Sequence, residues 1–138
     1  MKPSRFVLVL RVAIALGFCI DAYVATLLLF APGLVEPLLD IPVRDPLMAQ
    51  FAGGEFVVAA IVYALAFRAP ARYRALLWVC AADQAFAAVL PALAVAHGAI
   101  PASVKTVAPI PFSVLLVALY AVGALRPGAK RSATPSMQ

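Results

Sequence analysis

Four long apolar runs constrain this sequence more than any other feature. They cover residues 6–30, 47–67, 73–96 and 104–125, and each reaches the about 20 residues that an α-helix needs to cross a bilayer. The chain is 65% hydrophobic and 12% charged, with a mean hydropathy of +1.02, far from the composition of a soluble domain. We therefore predict an all-α integral membrane protein, a four-helix bundle over residues 1–125, followed by a flexible basic tail over residues 126–138.

The lysine and arginine residues predict the orientation of the four spans. Grouped by four-span topology, two of them lie on one side of the membrane, Arg44 and Lys105, and nine lie on the other: Lys2, Arg5, Arg11, Arg68, Arg72, Arg74, Arg126, Lys130 and Arg131. Because short cytoplasmic segments carry the excess of basic residues in membrane proteins, we expect both termini and the tail to lie in the cytoplasm and the spans to cross the inner (plasma) membrane.

The net charge of +5 could also suggest a nucleic-acid partner. The basic residues, however, lie in short clusters that flank the apolar runs, and they form no basic face with interleaved aromatic residues. We therefore predict that the chain contacts the lipid bilayer and no nucleic acid.

Three carboxylic acids lie inside the predicted spans, namely Asp21, Glu55 and Asp83. An acid costs about 2.5 to 3.5 kcal/mol at the centre of a bilayer on an insertion scale. At a helical rise of about 1.5 Å per residue, their depths from the cytoplasmic end of each span are roughly 22, 18 and 15 Å. All three carboxyl groups therefore fall in one central layer of a core about 30 Å thick.

The spacing of small residues predicts which way these acids point. Small residues recur every four positions around Asp21, at Ala13, Gly17 and Ala25, a ridge typical of close helix packing in membranes. Asp21 is therefore expected to face the bundle interior. Glu55 shares a helix face with Tyr63, so we expect Glu55 to face inward as well.

The third and fourth spans carry further polar residues. Asp83 and Gln84 are neighbours, about 100° apart around a helix, so one can face the centre while the other bridges to another helix. Ser113 and Tyr120 share a stripe of the fourth span, below prolines that free backbone carbonyls near its outer end. A water-accessible cavity is expected there.

The sequence offers no basic partner at the depth of the acids. They must therefore be protonated, share protons, contact water or bind a cation. The predicted ligand-binding residues are Asp21, Glu55, Tyr63, Asp83, Gln84, Ser113 and Tyr120. No histidine pair has the spacing of metal ligands, so we expect no transition-metal centre.

The segment over residues 51–60, FAGGEFVVAA, precedes an arginine-containing loop and an alanine-rich third span. This arrangement resembles the small four-helix bacterial membrane proteins of the DoxX-like kind, in which a glycine-flanked glutamate commonly opens the second helix. The resemblance covers mainly residues 47–96 and implies a four-helix bundle, in some members a quinone-linked redox partner. Only Glu55 matches a family position, since the first span has no counterpart.

Three functional hypotheses remain open at this point. The first is an inner-membrane protein whose carboxylate layer binds a lipophilic or cationic small molecule, alone, as a homo-oligomer or as an accessory subunit of a larger membrane complex. The second is a proton or cation transporter. The third is a small intramembrane enzyme with a protonated and an ionised carboxylate as acid and base on a hydrophobic substrate. A purely structural role, in which the acids hydrogen-bond across helices, is the alternative to all three.

Overall fold

The computed structural model describes residues 5–70 and 72–126, and these residues form helices and connecting turns without a strand. The helices are α1 (Arg5–Phe30), α2 (Val35–Leu39), α3 (Pro46–Arg68), α4 (Arg74–Ala96), α5 (Val104–Val107) and α6 (Pro109–Leu125), with a 3-10 turn at Pro32–Leu34. Four helical segments, α1, α3, α4 and the combined α5 and α6, are long and apolar enough to cross a membrane. The predicted tail lies outside the described residues, apart from Arg126.

Proline and short polar side chains set the helix boundaries. Asp45 caps α3, since its Oδ1 accepts hydrogen bonds from the backbone N–H groups of Leu47 at 2.9 Å and Met48 at 3.3 Å. Pro46 occupies the first turn, where a missing N–H costs nothing. Before α5, the side chains of Ser103 and Thr106 cap each other's backbone N–H groups. These interactions place the first residues of α3 and α5 within one residue of the predicted starts of the second and fourth spans.

The bundle consists of two closely packed helix pairs. α1 packs along α3, and α4 packs along α6, while α3 and α4 contact each other less extensively. α1 and α3 run antiparallel, because Gly17 lies against Tyr63 at one level and Gly53 lies against Leu29 at another. Glycine at both levels allows the two backbones to approach closely, as small residues do in membrane helix interfaces.

Most of the apolar surface of the long helices points away from the bundle. Only 22% to 39% of the residues in the most apolar stretch of each spanning helix are buried, and large side chains such as Phe30, Phe51 and Phe86 are exposed. A soluble monomer rarely exposes apolar patches of this extent. This exposed apolar surface and the four long apolar helices together indicate a multi-pass membrane protein.

One ion pair ties the connection between α1 and α3 to the start of α5. Lys105 Nζ donates a hydrogen bond to the Pro37 carbonyl at 2.8 Å and contacts Asp40 Oδ1 at 3.1 Å. Asp40 ends α2 in the left-handed region, with a φ of 56°. Hydrogen bonding from Ser103 and Lys105 lowers the pKa of the Asp40 carboxyl group below its ordinary value.

Candidate functional site

Tyr63 organises the polar centre of the bundle. Its side chain on α3 is fully buried, and its hydroxyl donates to Asp83 Oδ2 of α4 at 2.9 Å, with the Cys80 carbonyl a second acceptor at 3.2 Å. Gln84 Nε2 donates to the Tyr63 hydroxyl at 3.1 Å and reaches Asp83 Oδ2 at 3.3 Å. A phenol and an amide thus hold one oxygen of a carboxyl group between α3 and α4.

Tyr120 connects this centre to the other two helices. Its hydroxyl, on α6, donates to the Ala13 carbonyl of α1 at 2.7 Å, and its ring centroid lies 5.9 Å from that of Tyr63 with the planes tilted by 60°. Gly17 makes room for both rings, because a Cβ at this position would lie 2.8 Å from the Tyr120 hydroxyl. All four spanning helices therefore meet in this layer.

Asp21 lies one helical turn beyond Gly17 and points into the bundle, as predicted. Only 2% of its surface is exposed, and its Oδ2 is buried without a hydrogen-bond partner among the described residues. It lies within electrostatic range of Asp83 and of Cys80 and Tyr120. A buried carboxylate with no donor and no cation is costly, so this position favours binding of a proton or a positive charge.

Asp83 also faces an open groove between α3 and α4. This groove, which we call the acid groove, has a volume of about 570 Å³ and contains a second carboxyl group, Glu55. Its remaining walls are apolar: Ala52, Phe56 and Ala59 from α3, and Phe86, Ala87, Leu90 and Pro91 from α4. Its size lies in the range typical of small-molecule sites, about 300 to 1,000 Å³.

Pro91 interrupts the backbone hydrogen bonding of α4 at the wall of the acid groove. It lies inside α4 and has no N–H to donate to the carbonyl of Ala87, four residues earlier. Both residues line the groove. Because the hydroxyl of Tyr63 and the amide of Gln84 already bind Asp83, the polar groups of the groove itself are hydrogen-bond acceptors.

The expectation that Glu55 faces the bundle interior was wrong. Glu55 is exposed at the rim of the acid groove, while the buried face of α3 contains Gly53, Ala60 and Tyr63. At 100° per residue, Glu55 is 80° away from Tyr63 and 160° away from Gly53 around the helix. Glu55 therefore lies on the far side of the helix from Gly53, outside the buried face.

The other predicted residues fall into two groups. Tyr63 contacts Asp83, Gln84 and Tyr120. Gln84 faces the centre while Asp83 bridges to α3, as the two-residue pattern predicted. Ser113 is buried on α6, but it lies seven residues before Tyr120, or about 10 Å along the helix. Among the described residues, no side-chain hydrogen bond joins Ser113 to this group.

Sequence reasoning missed two parts of this site. The wall of the acid groove formed by Phe56 and Phe86 could not be predicted, because phenylalanine is as common on lipid-facing surfaces as on site-lining ones. Pro91 was a usable signal, since a proline within an apolar run marks a free backbone carbonyl.

The described residues contain no group of three histidine, cysteine, aspartate or glutamate side chains that could hold a metal ion. Comparison of the chain with protein-family models, with curated proteins and with solved structures found no match. The DoxX-like resemblance of residues 47–96 therefore stays a prediction, and the function has to be inferred from the site itself.

Proposed function

We propose that this chain is an inner-membrane protein that binds a lipophilic molecule with a cationic head group in the acid groove. The head group is held by Asp83 and Glu55, and the apolar remainder lies against Phe56, Phe86 and Leu90. On this proposal, both termini are cytoplasmic, and the occupied protein acts alone, as a homo-oligomer or as an accessory subunit of a larger membrane complex.

The observation that carries this proposal is the one-sided chemistry of the groove. Its polar side chains are the two carboxyl groups of Asp83 and Glu55, and its other lining residues are apolar. Carboxylates in low dielectric need a proton, a cation or donors to offset their desolvation. An ammonium group supplies the charge and up to three N–H donors at once, whereas an anionic or purely accepting head group would be repelled.

The position of the groove supports a ligand that is dissolved in the membrane. Glu55, Phe86 and Leu90 are exposed on the outward face of the helices, so the groove opens sideways from the bundle. A ligand can therefore enter from the lipid phase without crossing the packed core. The tyrosine and glutamine behind Asp83 hold its carboxyl group in position, which reduces the ordering cost of binding.

Binding of a matched set of long-chain probes tests this proposal. We expect an alkylamine to bind the purified protein in detergent more tightly than an alcohol or a fatty acid of the same chain length. Asp83→Asn and Glu55→Gln should each weaken the alkylamine, since removing one partner of a buried charge pair costs about 2 to 5 kcal/mol and exposure of Glu55 reduces its share. Asp83→Asn should therefore have the larger effect.

Glu36→Gln is the matched control, because Glu36 is an exposed acid on α2 that does not line the acid groove. It should leave the affinity for the alkylamine unchanged. Equal binding of the three probes, or equal weakening by all three variants, would show that the groove acids do not select the ligand and would remove the proposal.

A second candidate, proton transfer through the bundle, is favoured by one specific observation. Asp21 is buried with an unpartnered oxygen, and it lies within electrostatic range of Asp83, which lines the acid groove and accepts a hydrogen bond from Tyr63. This arrangement predicts pH-driven flux in liposomes that is lost in Asp21→Asn. Absence of flux at every pH tested would exclude transport and leave the binding proposal intact.

A further inference from the structure

Two further grooves lie on the opposite face of α3, between α1 and α3. The larger groove has a volume of about 470 Å³ and is lined by apolar side chains including Ala22, Leu29 and Ile61. The smaller groove has a volume of about 310 Å³ and is lined by Ala15, Tyr63 and Phe67 among others. Phe18, Ala64 and Arg68 line both, so the two form one continuous surface, which we call the arginine groove.

Arg68 is the one charged residue of the arginine groove. It is the last residue of α3, and helical side chains lean toward the N-terminus of their own helix. Arg68 therefore lies one turn beyond Ala64, at the end of the groove that coincides with the end of α3. From Arg68, the groove continues as an apolar channel toward the middle of the spans, where Ala22 and Ile61 lie.

Arg11 reaches the same region from α1. Its guanidinium group lies 5.9 Å from the ring centroid of Phe67, a residue that lines the arginine groove. Its Nε is buried and has no hydrogen-bond partner among the described residues. A second cationic group with an unused donor thus lies at the same end of the groove.

The chain provides no acid to neutralise these arginines. Its aspartate and glutamate residues are Asp21, Glu36, Asp40, Asp45, Glu55 and Asp83, so none lies in the segments before α1, between α3 and α4 or after α6. Within residues 5–70 and 72–126, the ion pair is that of Lys105 with Asp40, at the opposite end of the bundle. Among the described residues, neither Arg68 nor Arg11 therefore has an aspartate or glutamate partner.

We propose that the arginine groove is a binding site for one anionic glycerophospholipid. The phosphate contacts Arg68 and Arg11, and one acyl chain extends over Ala64 and Ala22 toward the middle of the membrane. The charged end and the apolar channel have the same order as the head and tail of a lipid in one leaflet. This inference does not depend on the ligand of the acid groove.

Native mass spectrometry of the full chain with added lipids tests the proposal. We expect one phosphatidylglycerol to stay bound more tightly than a phosphatidylcholine with the same chains. Arg68→Gln should weaken phosphatidylglycerol roughly fivefold, the factor expected when one basic residue near a membrane surface loses its attraction to an anionic lipid. Arg11→Gln should weaken it by a similar factor, and neither variant should change the affinity for phosphatidylcholine.

Two further variants make the result specific. Arg72→Gln is the matched control, because Arg72 belongs to the same end of the bundle but lies over the Tyr73 ring at 5.5 Å, whereas Arg11 lies over Phe67, a residue of the groove. Ala64→Phe fills the channel at an exposed position without removing a charge, and it should also weaken the lipid.

Each alternative has a distinct outcome in the same experiment. Equal loss in Arg72→Gln would mean a diffuse surface charge rather than a site, and equal binding of the two lipids would mean an apolar groove without head-group recognition. Release of phosphatidylglycerol by excess inorganic phosphate, with Ala64→Phe unchanged, would mean a free-anion site. Any of these results would overturn the proposal.

Discussion

The contact between Gly17 and the two buried tyrosines gives the sharpest test of the packing. A Cβ at position 17 would lie 2.5 Å from a ring carbon of Tyr63 and 2.8 Å from the Tyr120 hydroxyl, whereas non-bonded carbons rest at about 3.5 to 4 Å. Both rings are fully buried and cannot rotate into free space. Gly17→Ala must therefore push α1 away from α3 and α6.

The free-energy cost of this movement is the sum of three contributions. Adding a methyl group to a filled core costs about 1 to 3 kcal/mol, and stretching the hydrogen bond from Tyr120 to the Ala13 carbonyl costs about 0.6 kcal/mol more, the average for such bonds in membranes. Alanine gains about 1 kcal/mol over glycine in helix preference. We expect Gly17→Ala to lower the free energy of unfolding by about 0.6 to 2.6 kcal/mol.

Gly54→Ala isolates the steric part. Gly54 also lies inside a spanning helix, α3, but a Cβ there would meet nothing within 4 Å, so the variant gains helix preference without a clash and should be as stable as the parent or up to about 1 kcal/mol more stable. Reversible unfolding in mixed micelles with increasing dodecyl sulfate measures both variants. Equal shifts for Gly17→Ala and Gly54→Ala would refute the described packing of α1 against the tyrosines.

Three further predictions concern other parts of the chain. Tyr63→Phe removes the donor to Asp83 and should destabilise the bundle by about 0.6 to 1.7 kcal/mol in the same unfolding assay. Unchanged stability of this variant would contradict the hydrogen bond. Lys105→Gln should speed amide hydrogen exchange of residues 32–45. Because the pKa of Asp40 is lowered in the folded state, the contribution of this ion pair is present above the unfolded pKa and lost as the pH falls through the folded one, so the parent and Lys105→Gln should converge in acid. Reporter fusions at the carboxyl end and in the connection before α5 should report cytoplasmic and external locations respectively, and the reverse pattern would contradict the orientation drawn from the basic residues.

The helices themselves were predictable because their limits are chemical. Arg5 and Pro46 each precede an apolar run, and Arg68 follows one. The predicted spans therefore differ from α1, α3 and α4 by one residue at most at each end. The fourth span was predicted as continuous, whereas the structure divides it at Ala108. Pro109, which follows, cannot donate a backbone hydrogen bond. The proline is visible in the sequence, but the length and hydropathy of an apolar run do not show a break of one residue.

The orientation of side chains was predictable only where a polar or small residue marked it. Asp21 was correctly placed inside because it lies on a ridge with Gly17, and a ridge of small residues identifies a helix contact. Glu55 was misplaced because the remainder of α3 is apolar on all sides. In a soluble bundle, the polar face would have shown which side is out, but lipid accepts the same side chains as the core does.

This loss of periodicity explains why the two grooves could not be predicted and why their polar groups carry the functional argument. Phe18 on the arginine groove and Phe86 on the acid groove differ in no sequence property from lipid-facing phenylalanines. What distinguishes the grooves is a charged side chain without an ion-pair partner among the described residues: Asp83 and Glu55 at one groove, Arg68 and Arg11 at the other. On our two proposals, each groove therefore requires its own external partner. A cationic amphiphile and an anionic lipid satisfy the two requirements independently, so Arg68→Gln and Asp83→Asn should each affect only one of the two ligands.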